Sequence, residues 1–328
     1  MKTNEVRKPS QKFMHLIRFF ATIICIGVTV YAFFKFNLDE QITPQLVYAI
    51  LLIQPFLFAA TLVSGIRCSF LVSTPPAPVI NCTKSIILSA GLNLWLPGRL
   101  SELVKPAFLR EHLGIPFGQG LAALILEKFF DALIVGALTL AGLIFLNSNS
   151  IHKPLIFFSF TLLTIFMIRP MAGVFFQFLE KYSTPIFRVA TDSLRHIKFT
   201  LTRRLSIIAL SLTLISWVLH GFAIWLFFLF LEGRSLSIAE SAAIMGAMIF
   251  AGAAPALPGG IGAIQAAVTV SLIAFGFSPS EAFVFSLGLH LAEVLIAAFC
   301  TPIILSLHQT GVSRLLIDAK TAITQKKE

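Results

Sequence analysis

The sequence predicts an all-α integral membrane protein, and two observations lead to this fold class. The chain is 57% hydrophobic and 12% charged, with a mean hydropathy of +0.89, whereas soluble domains are about half apolar and about one quarter charged. The apolar residues also occur in runs of about 20 or more, which is the length that a helix needs to cross the hydrocarbon core. Alternating segments of about ten residues, typical of membrane barrels, are absent from the sequence.

Apolar runs long enough to span a bilayer occur at residues 13–36, 46–72, 117–146, 205–231 and 283–307. A further crossing is predicted at 154–178, which gives about six transmembrane helices. Two more apolar stretches, 79–113 and 238–277, are each broken by Pro-Gly, and we expect both to enter and leave the membrane on one side. The sequence thus predicts eight hydrophobic helical elements, two of which are re-entrant hairpins.

The two Pro-Gly breaks resemble each other and suggest a duplicated unit. An offset of 161 or 162 residues aligns the breaks and also aligns Lys128 with His290 and Asp131 with Glu293. Because each unit crosses the membrane an odd number of times, the second unit must be inverted relative to the first. Inverted repeats with broken helices are typical of secondary transporters, whose binding sites lie between the repeats near the midplane.

The basic residues predict the orientation of the chain. Lysine and arginine together number 25 against 15 acidic residues, a formal charge of +10, yet only Lys35, Lys153 and Arg234 fall in segments predicted to face outward. Basic residues of membrane proteins collect in cytoplasmic loops and face anionic lipids, so this charge indicates a membrane surface and not a nucleic-acid partner. We therefore predict a multi-pass protein of the plasma membrane, the inner membrane of a bacterium, with both termini in the cytoplasm.

We predict a single membrane domain over residues 1–328. It consists of a first repeat at 13–146 and a second repeat at 154–307. A basic, partly amphipathic cytoplasmic connector is expected at 180–204, and a cytoplasmic tail at 308–328.

Charged residues within one predicted helix mark the candidate site. Glu127, Lys128 and Asp131 lie ten or more residues into the segment 117–146, which places them about 15 Å along the helix. Each charge costs about 2.5 to 3.5 kcal/mol at the bilayer centre, so we expect all three to face the protein interior. The spacing predicts that Lys128 pairs with Asp131. The other expected partners of these charges are Arg99, Lys105, His290 and Glu293.

The first break is a candidate binding site for a phosphate group. A half-helix begins near Leu100, and the partial positive charge of a helix N-terminus lies beside Arg99 and Lys105. The planar fork of an arginine side chain binds phosphate with two parallel hydrogen bonds. At the second break, Gly259 and Gly260 allow another backbone or an acyl chain to approach closely, although simple turn chemistry explains them equally well.

The candidate substrate-binding residues are Asn93, Arg99, Glu102, Lys105, Glu127, Lys128, Asp131, Gly259, Gly260, His290 and Glu293. A buried salt-bridge network that only joins the repeats is the alternative for this group. The cysteines are scattered and form no Cys-x-x-Cys pair, so neither a metal site nor a disulfide framework is predicted. We expect no cofactor.

The sequence around the first break resembles the lysylphosphatidylglycerol synthase transmembrane, or flippase-like, family. The resemblance rests on Asn93, Leu96, Pro97, Gly98, Arg99, Ser101, Glu102, Lys105, Leu109, Arg110, Gly114, Ile115, Pro116, Glu127, Lys128 and Asp131. Residues 258–262 and Gly276 are similar to the second signature of the family. The family usually has Gly at Ser101, Arg at Lys128, Glu near Gln265 and Arg near His290, so this sequence is divergent. The resemblance implies movement of a modified phospholipid between leaflets.

Two classes of function follow from these observations. The first is a translocase for a membrane lipid or polyprenyl-linked lipid, in which the two hairpins form a groove for an anionic or phosphate-bearing headgroup. The second is an enzyme that modifies headgroups, with Glu102, Glu127 or Asp131 as the base. The sequence shows no nucleophile–base set, metal spacing or nucleotide loop, so we favour translocation and expect no enzymatic activity. A partner subunit of a lipid synthase, or a homo-oligomer, is a further alternative.

Overall fold

The computed structural model describes residues 43–146, 191–197, 204–231, 235–253, 258–308 and 312–324, and every regular element in these ranges is a helix. In chain order the α-helices are α1 Pro44–Leu52, α2 Gln54–Val72, α3 Val79–Leu92, α4 Val104–Leu113, α5 Phe117–Leu146, α6 Leu205–Leu229, α7 Ile238–Ala253, α8 Ala263–Ala274, α9 Pro279–Leu307 and α10 Val312–Thr324. The predicted crossings at 13–36 and 154–178 lie outside the described residues, as does most of the connector.

Three helical stretches of the described chain are long and apolar enough to cross a membrane: Pro44–Val72, Leu205–Leu229 and Pro279–Leu307. Helix α5 is longer still, with 30 residues, but it carries three charged residues near its middle. It begins at Phe117 and ends at Leu146, the bounds that the sequence predicts. The chain is therefore an all-helical membrane protein.

The predicted segment 46–72 is divided into α1 and α2 at Ile53. Pro55 lies in the first turn of α2 and has no N–H to continue the ladder from α1. The Gln54 side chain partly replaces the lost bond, because its Nε2 donates to the Ile50 carbonyl oxygen at 2.9 Å and to that of Ala292 at 3.2 Å. The same side chain thereby links this bend to α9.

Both Pro-Gly stretches form helical hairpins, in which α3 packs against α4 and α7 packs against α8. The first break contains a 3-10 helix, Pro97–Leu103. At the second break Gly259 and Gly260 have φ values of 69° and 72°, in the left-handed region that favours glycine. The N–H of Gly259 donates to the Asn93 carbonyl oxygen at 2.7 Å. The backbones of the two breaks are thus in direct contact.

The two hairpins share their neighbours in a reciprocal way. Helix α4 packs against α5 and α8 packs against α9, whereas α3 packs against α9 and α7 packs against α5. Each hairpin therefore lies between the same two long helices. The remaining long helices, α2 and α6, pack extensively against each other.

The predicted tail and connector contain structure of their own. Helix α10 packs against α4, where Arg314 Nε lies 3.3 Å from Glu111 Oε1. Within the connector, residues 191–197 form a short helix, and Ser193 Oγ donates to the Gly118 carbonyl oxygen at 2.8 Å. Both segments are docked on the bundle.

The contact between α3 and α9 depends on Gly91. A Cβ atom at this position would lie 2.0 Å from Thr301 Oγ1 and 2.7 Å from the Ala297 carbonyl oxygen. We expect Gly91→Ala to destabilise the protein by about 1 to 3 kcal/mol, because the α9 backbone must move away. Thermal unfolding of the purified protein in detergent measures this.

The matched control is Gly221→Ala on α6. A Cβ atom there would meet nothing closer than Met245 Sδ at 3.7 Å, so this variant should keep the wild-type melting temperature or exceed it. Equal melting temperatures for the two variants would contradict the close α3–α9 contact.

Candidate functional site

A cavity of about 360 Å³ lies among helices α2 to α6 and α9. Ser, Thr and Asn side chains contribute to its wall, and so does a set of titratable side chains. These are Arg67, Glu102, Lys105, Glu127, Lys128, Asp131, His220 and Glu293. A second, mostly apolar cavity of about 230 Å³ adjoins it and shares Asn93, Trp217, His220 and Glu293 with it.

Asp131 is bound by donors from two other helices. Arg67 Nη1 lies 2.6 Å from Asp131 Oδ1 and Nη2 lies 3.4 Å from Oδ2, while Nη1 also donates to Thr213 Oγ1 at 2.8 Å. Trp217 Nε1 donates to Asp131 Oδ1 at 2.9 Å. A forked contact of this kind is among the strong charge-assisted hydrogen bonds. It joins α2, α5 and α6 at one point.

The predicted pairing of Lys128 with Asp131 is wrong. Lys128 Nζ instead lies 3.2 Å from Glu102 Oε1, in the 3-10 helix after the first break. Residues three apart on a helix are neighbours, but this spacing does not decide which neighbouring helix each side chain reaches. Asp131 reaches α2, whereas Lys128 reaches the first hairpin.

Lys105 and Glu127 form the most buried ion pair of the site among the described residues. Lys105 Nζ donates to Glu127 Oε2, and the side chains are only 3% and 6% exposed. Lys105 is one of the predicted partners of the α5 charges, and this contact fixes α4 against α5. Glu127 Oε1 is buried without a hydrogen-bond partner.

The sequence led us to expect that His290 and Glu293 pair with the charges of α5. In the structure both have other partners. His290 Nδ1 lies 2.6 Å from Gln265 Nε2, and Gln265 Oε1 accepts from the Gly262 N–H at 2.7 Å. His290 therefore supports the second break. Glu293 Oε2 lies 3.7 Å from His220 Nε2, within the first cavity.

The remaining predicted residues belong to the breaks. Asn93 lines both cavities, and its Oδ1 accepts from Ser101 Oγ at 3.3 Å. Gly259 lines the second cavity, whereas Gly260 packs against Ile264 behind it. The side chain of Arg99 lies outside the described residues, so its phosphate-binding role stays a prediction.

Sequence reasoning missed three residues of the site. Arg67 is not among the candidates from the sequence, but the structure buries it with 4% exposure. Trp217 and His220 are polar aromatic side chains one helical turn apart on α6, and both line the cavity. That spacing on an apolar helix is the signal that could have identified them.

The described cavity wall is close to electrically neutral. It contains three basic and four acidic side chains, which gives a formal charge of −1 with neutral histidine. Among the described residues, no group of three His, Cys, Asp or Glu side chains could hold a metal ion. The arrangement suits a polar ligand that carries charge, held by side chains from several helices.

Long apolar helices around a charged cavity define a polytopic membrane protein with a polar site among its helices. Comparison with known families is consistent with this class, because residues 16–300 match the family described as the lysylphosphatidylglycerol synthase TM region. The chain belongs to this family. No curated protein and no solved structure matches the chain.

The contribution of the Lys105–Glu127 pair to stability can be tested by comparing removal of one charge with removal of both. Breaking a buried ion pair typically costs about 3 to 5 kcal/mol, since one charge is left uncompensated. We therefore expect Lys105→Met to lower the melting temperature strongly in detergent. Lys105→Met combined with Glu127→Met should recover most of the loss, because neither charge of this pair then remains. Equal destabilisation in the single and double variants would contradict this account.

Proposed function

We propose that this chain moves lipids with phosphate-bearing headgroups between the leaflets of a membrane without changing them covalently. The observation that carries the proposal is the charged cavity among apolar helices, since intramembrane ionisable residues typically mark substrate pathways. Membership of a family linked to lipid synthesis supports a lipid as the ligand. In this proposal the headgroup occupies the cavity while the acyl chains stay among the apolar helix surfaces.

Among the cavity side chains that the structure describes, Lys128 is the cation best placed to meet a phosphate. Its side chain is 54% exposed, whereas those of Arg67 and Lys105 are 5% and 3% exposed and are held by carboxylates. A lysine ammonium has three donors, so the contact with Glu102 leaves capacity for a ligand. Lys128 therefore contacts the phosphate in this proposal.

The acidic side chains restrict the rest of the headgroup. Four carboxylates line the cavity, and a bare anion would be repelled by them. Glu127 Oε1 in addition lacks a hydrogen-bond partner. A headgroup that combines the phosphate with donors, such as an amine or hydroxyl groups, satisfies both features.

We further propose an inverted repeat with six crossings and two re-entrant hairpins, in the plasma membrane with both termini in the cytoplasm. The reciprocal packing of the hairpins between α5 and α9 supports a two-fold relationship. The contact between Gly259 and Asn93 supports it as well, because equivalent breaks then meet near the axis. Alternating exposure of the cavity would follow from rocking of one repeat against the other.

Single cysteines test this topology. In a chain whose four native cysteines are replaced by alanine, Asn149→Cys should react with an impermeant reagent from outside, and Asp192→Cys only after the membrane is opened. Asp192 is used because its side chain is exposed, whereas the neighbouring Ser193 is buried. Labelling of both positions from the same side would exclude the inverted arrangement.

The role of Lys128 is tested in vesicles that contain the purified protein and a phosphatidylethanolamine labelled on an acyl chain. Losing a charge-assisted contact costs about 1.5 to 3 kcal/mol, so Lys128→Gln should slow transbilayer movement roughly ten- to hundredfold at low lipid concentration. Lys128→Arg keeps the charge and should retain more activity than Lys128→Gln.

Arg314→Gln is the matched control, because Arg314 is 68% exposed and pairs with Glu111 outside the cavity. This variant should move lipid at the wild-type rate. Unchanged movement with Lys128→Gln would remove Lys128 from the site. A new covalent lipid species in membranes that contain the chain, lost in Glu102→Gln, would instead favour the enzyme alternative.

A further inference from the structure

The hydrogen bond of His220 to its own helix fixes which ring nitrogen carries a proton. His220 Nδ1 lies 2.9 Å from the Ser216 carbonyl oxygen, and a carbonyl oxygen can only accept. Nδ1 must therefore carry hydrogen in every protonation state of the ring. As a result, the nitrogen that gains or loses a proton is Nε2.

Nε2 faces the carboxylate of Glu293. The distance between Nε2 and Glu293 Oε2 is 3.7 Å, longer than the usual hydrogen bond of about 2.7 to 3.2 Å. Without a proton both atoms carry lone pairs and neither can donate. One added proton converts this contact into a charge-assisted hydrogen bond. The pair can thus bind one proton between Nε2 and Oε2.

The other charges of the cavity are compensated differently. Arg67 pairs with Asp131, Lys105 with Glu127, and Lys128 with Glu102. These pairs come from α2, α4, α5 and the first break. Among the described residues, Glu293 contributes the cavity carboxylate whose ion-pair partner is a histidine. Histidine is the side chain whose ordinary titration lies nearest neutral pH.

The site is also connected to the rest of the cavity. The Trp217 ring lies against His220, with ring centroids 4.9 Å apart, and its Nε1 donates to Asp131. A cation beside a tryptophan ring is stabilised by the ring quadrupole. Trp217 therefore contacts both His220 and the carboxylate that pairs with Arg67.

The remaining titratable groups near His220 lie farther along the cavity wall. From α9 they include His290, which is held by Gln265. The α7 side chains that line the adjoining cavity, Met245, Met248 and Ile249, do not titrate. Glu293 and His220 line both cavities. Protonation at this junction changes the formal charge of the described wall of the first cavity from −1 to 0.

We propose that His220 and Glu293 together bind one proton in the cavity, and that this proton is coupled to the movement of the lipid. The coupling rests on the proposed translocation. Binding transfers one proton from water to the space between Nε2 and Oε2, and its release returns that proton to water on the side to which the cavity then opens. No other bond is made or broken.

Titration of the full-length protein in detergent, with ¹⁵N-labelled histidine, tests the site without any lipid movement. The chain has seven histidines, and the resonances missing in His220→Gln identify His220. We expect its Nε2 resonance to change with pH in the wild type. Glu293→Gln should change the midpoint of that transition, because the carboxylate that faces Nε2 is gone.

His308→Gln is the control for the titration, since His308 lies outside the cavity beside Lys84. It should leave the His220 midpoint unchanged. A His220 resonance that does not change with pH, or an identical midpoint in Glu293→Gln, would overturn the proton site. A purely structural role for His220 predicts no effect of Glu293→Gln on its midpoint.

The coupling is tested in vesicles of phosphatidylethanolamine and phosphatidylglycerol, with acyl-labelled phosphatidylethanolamine as the probe. A gradient of about one pH unit should change wild-type lipid movement by up to about tenfold. Movement by His220→Gln and Glu293→Gln should not respond to the gradient. If wild-type movement ignores the gradient, the coupling is wrong while the translocase proposal stands. If the wild type moves no lipid, both fail, and the titration alone decides the proton site.

Discussion

The cost of burying charge governs this structure. A charged side chain without a partner is costly inside a membrane protein, and the apolar helices here carry several. The structure compensates them with partners from other helices, so that Arg67 meets Asp131 and Lys105 meets Glu127. Because Arg67 and Lys105 come from different helices and both pair with α5, the positions of α2, α4 and α5 are determined together. The polar interior is therefore a constraint on helix packing as well as a lining for a ligand.

Burial also distinguishes charged residues that stabilise helix packing from charged residues that can bind a ligand, a difference that the sequence does not reveal. Arg67 and Lys105 are almost fully buried and each pairs with a carboxylate on α5, so their charges hold helices together. Lys128 and Glu293 are partly exposed to the cavity and loosely held. Stability and ligand binding are thus assigned to different pairs within one cavity, and removal of a charge should affect folding in the first group and ligand binding in the second.

Much of the fold could be predicted from the sequence because apolar runs and Pro-Gly breaks act locally. The bounds of α5 and the two hairpins follow from such local signals. Ion-pair partners could not be predicted in the same way. The spacing of Lys128 and Asp131 describes neighbours on one helix, but their partners lie on other elements. Arg67 was not predicted as a site residue, because the positive-inside rule accounts for a basic residue near the end of an apolar run without reference to its burial.

The contact between the two breaks has a consequence for the order of assembly during synthesis. The Asn93 carbonyl receives its hydrogen bond from Gly259, 166 residues later in the chain. At a synthesis rate of about 5 to 20 residues per second, the first hairpin waits about 10 to 30 seconds for this partner. During that interval its broken tip must be satisfied by water or by the insertion machinery. The second hairpin therefore completes the first, and a chain interrupted between them would leave an unsatisfied backbone at the centre of the bundle.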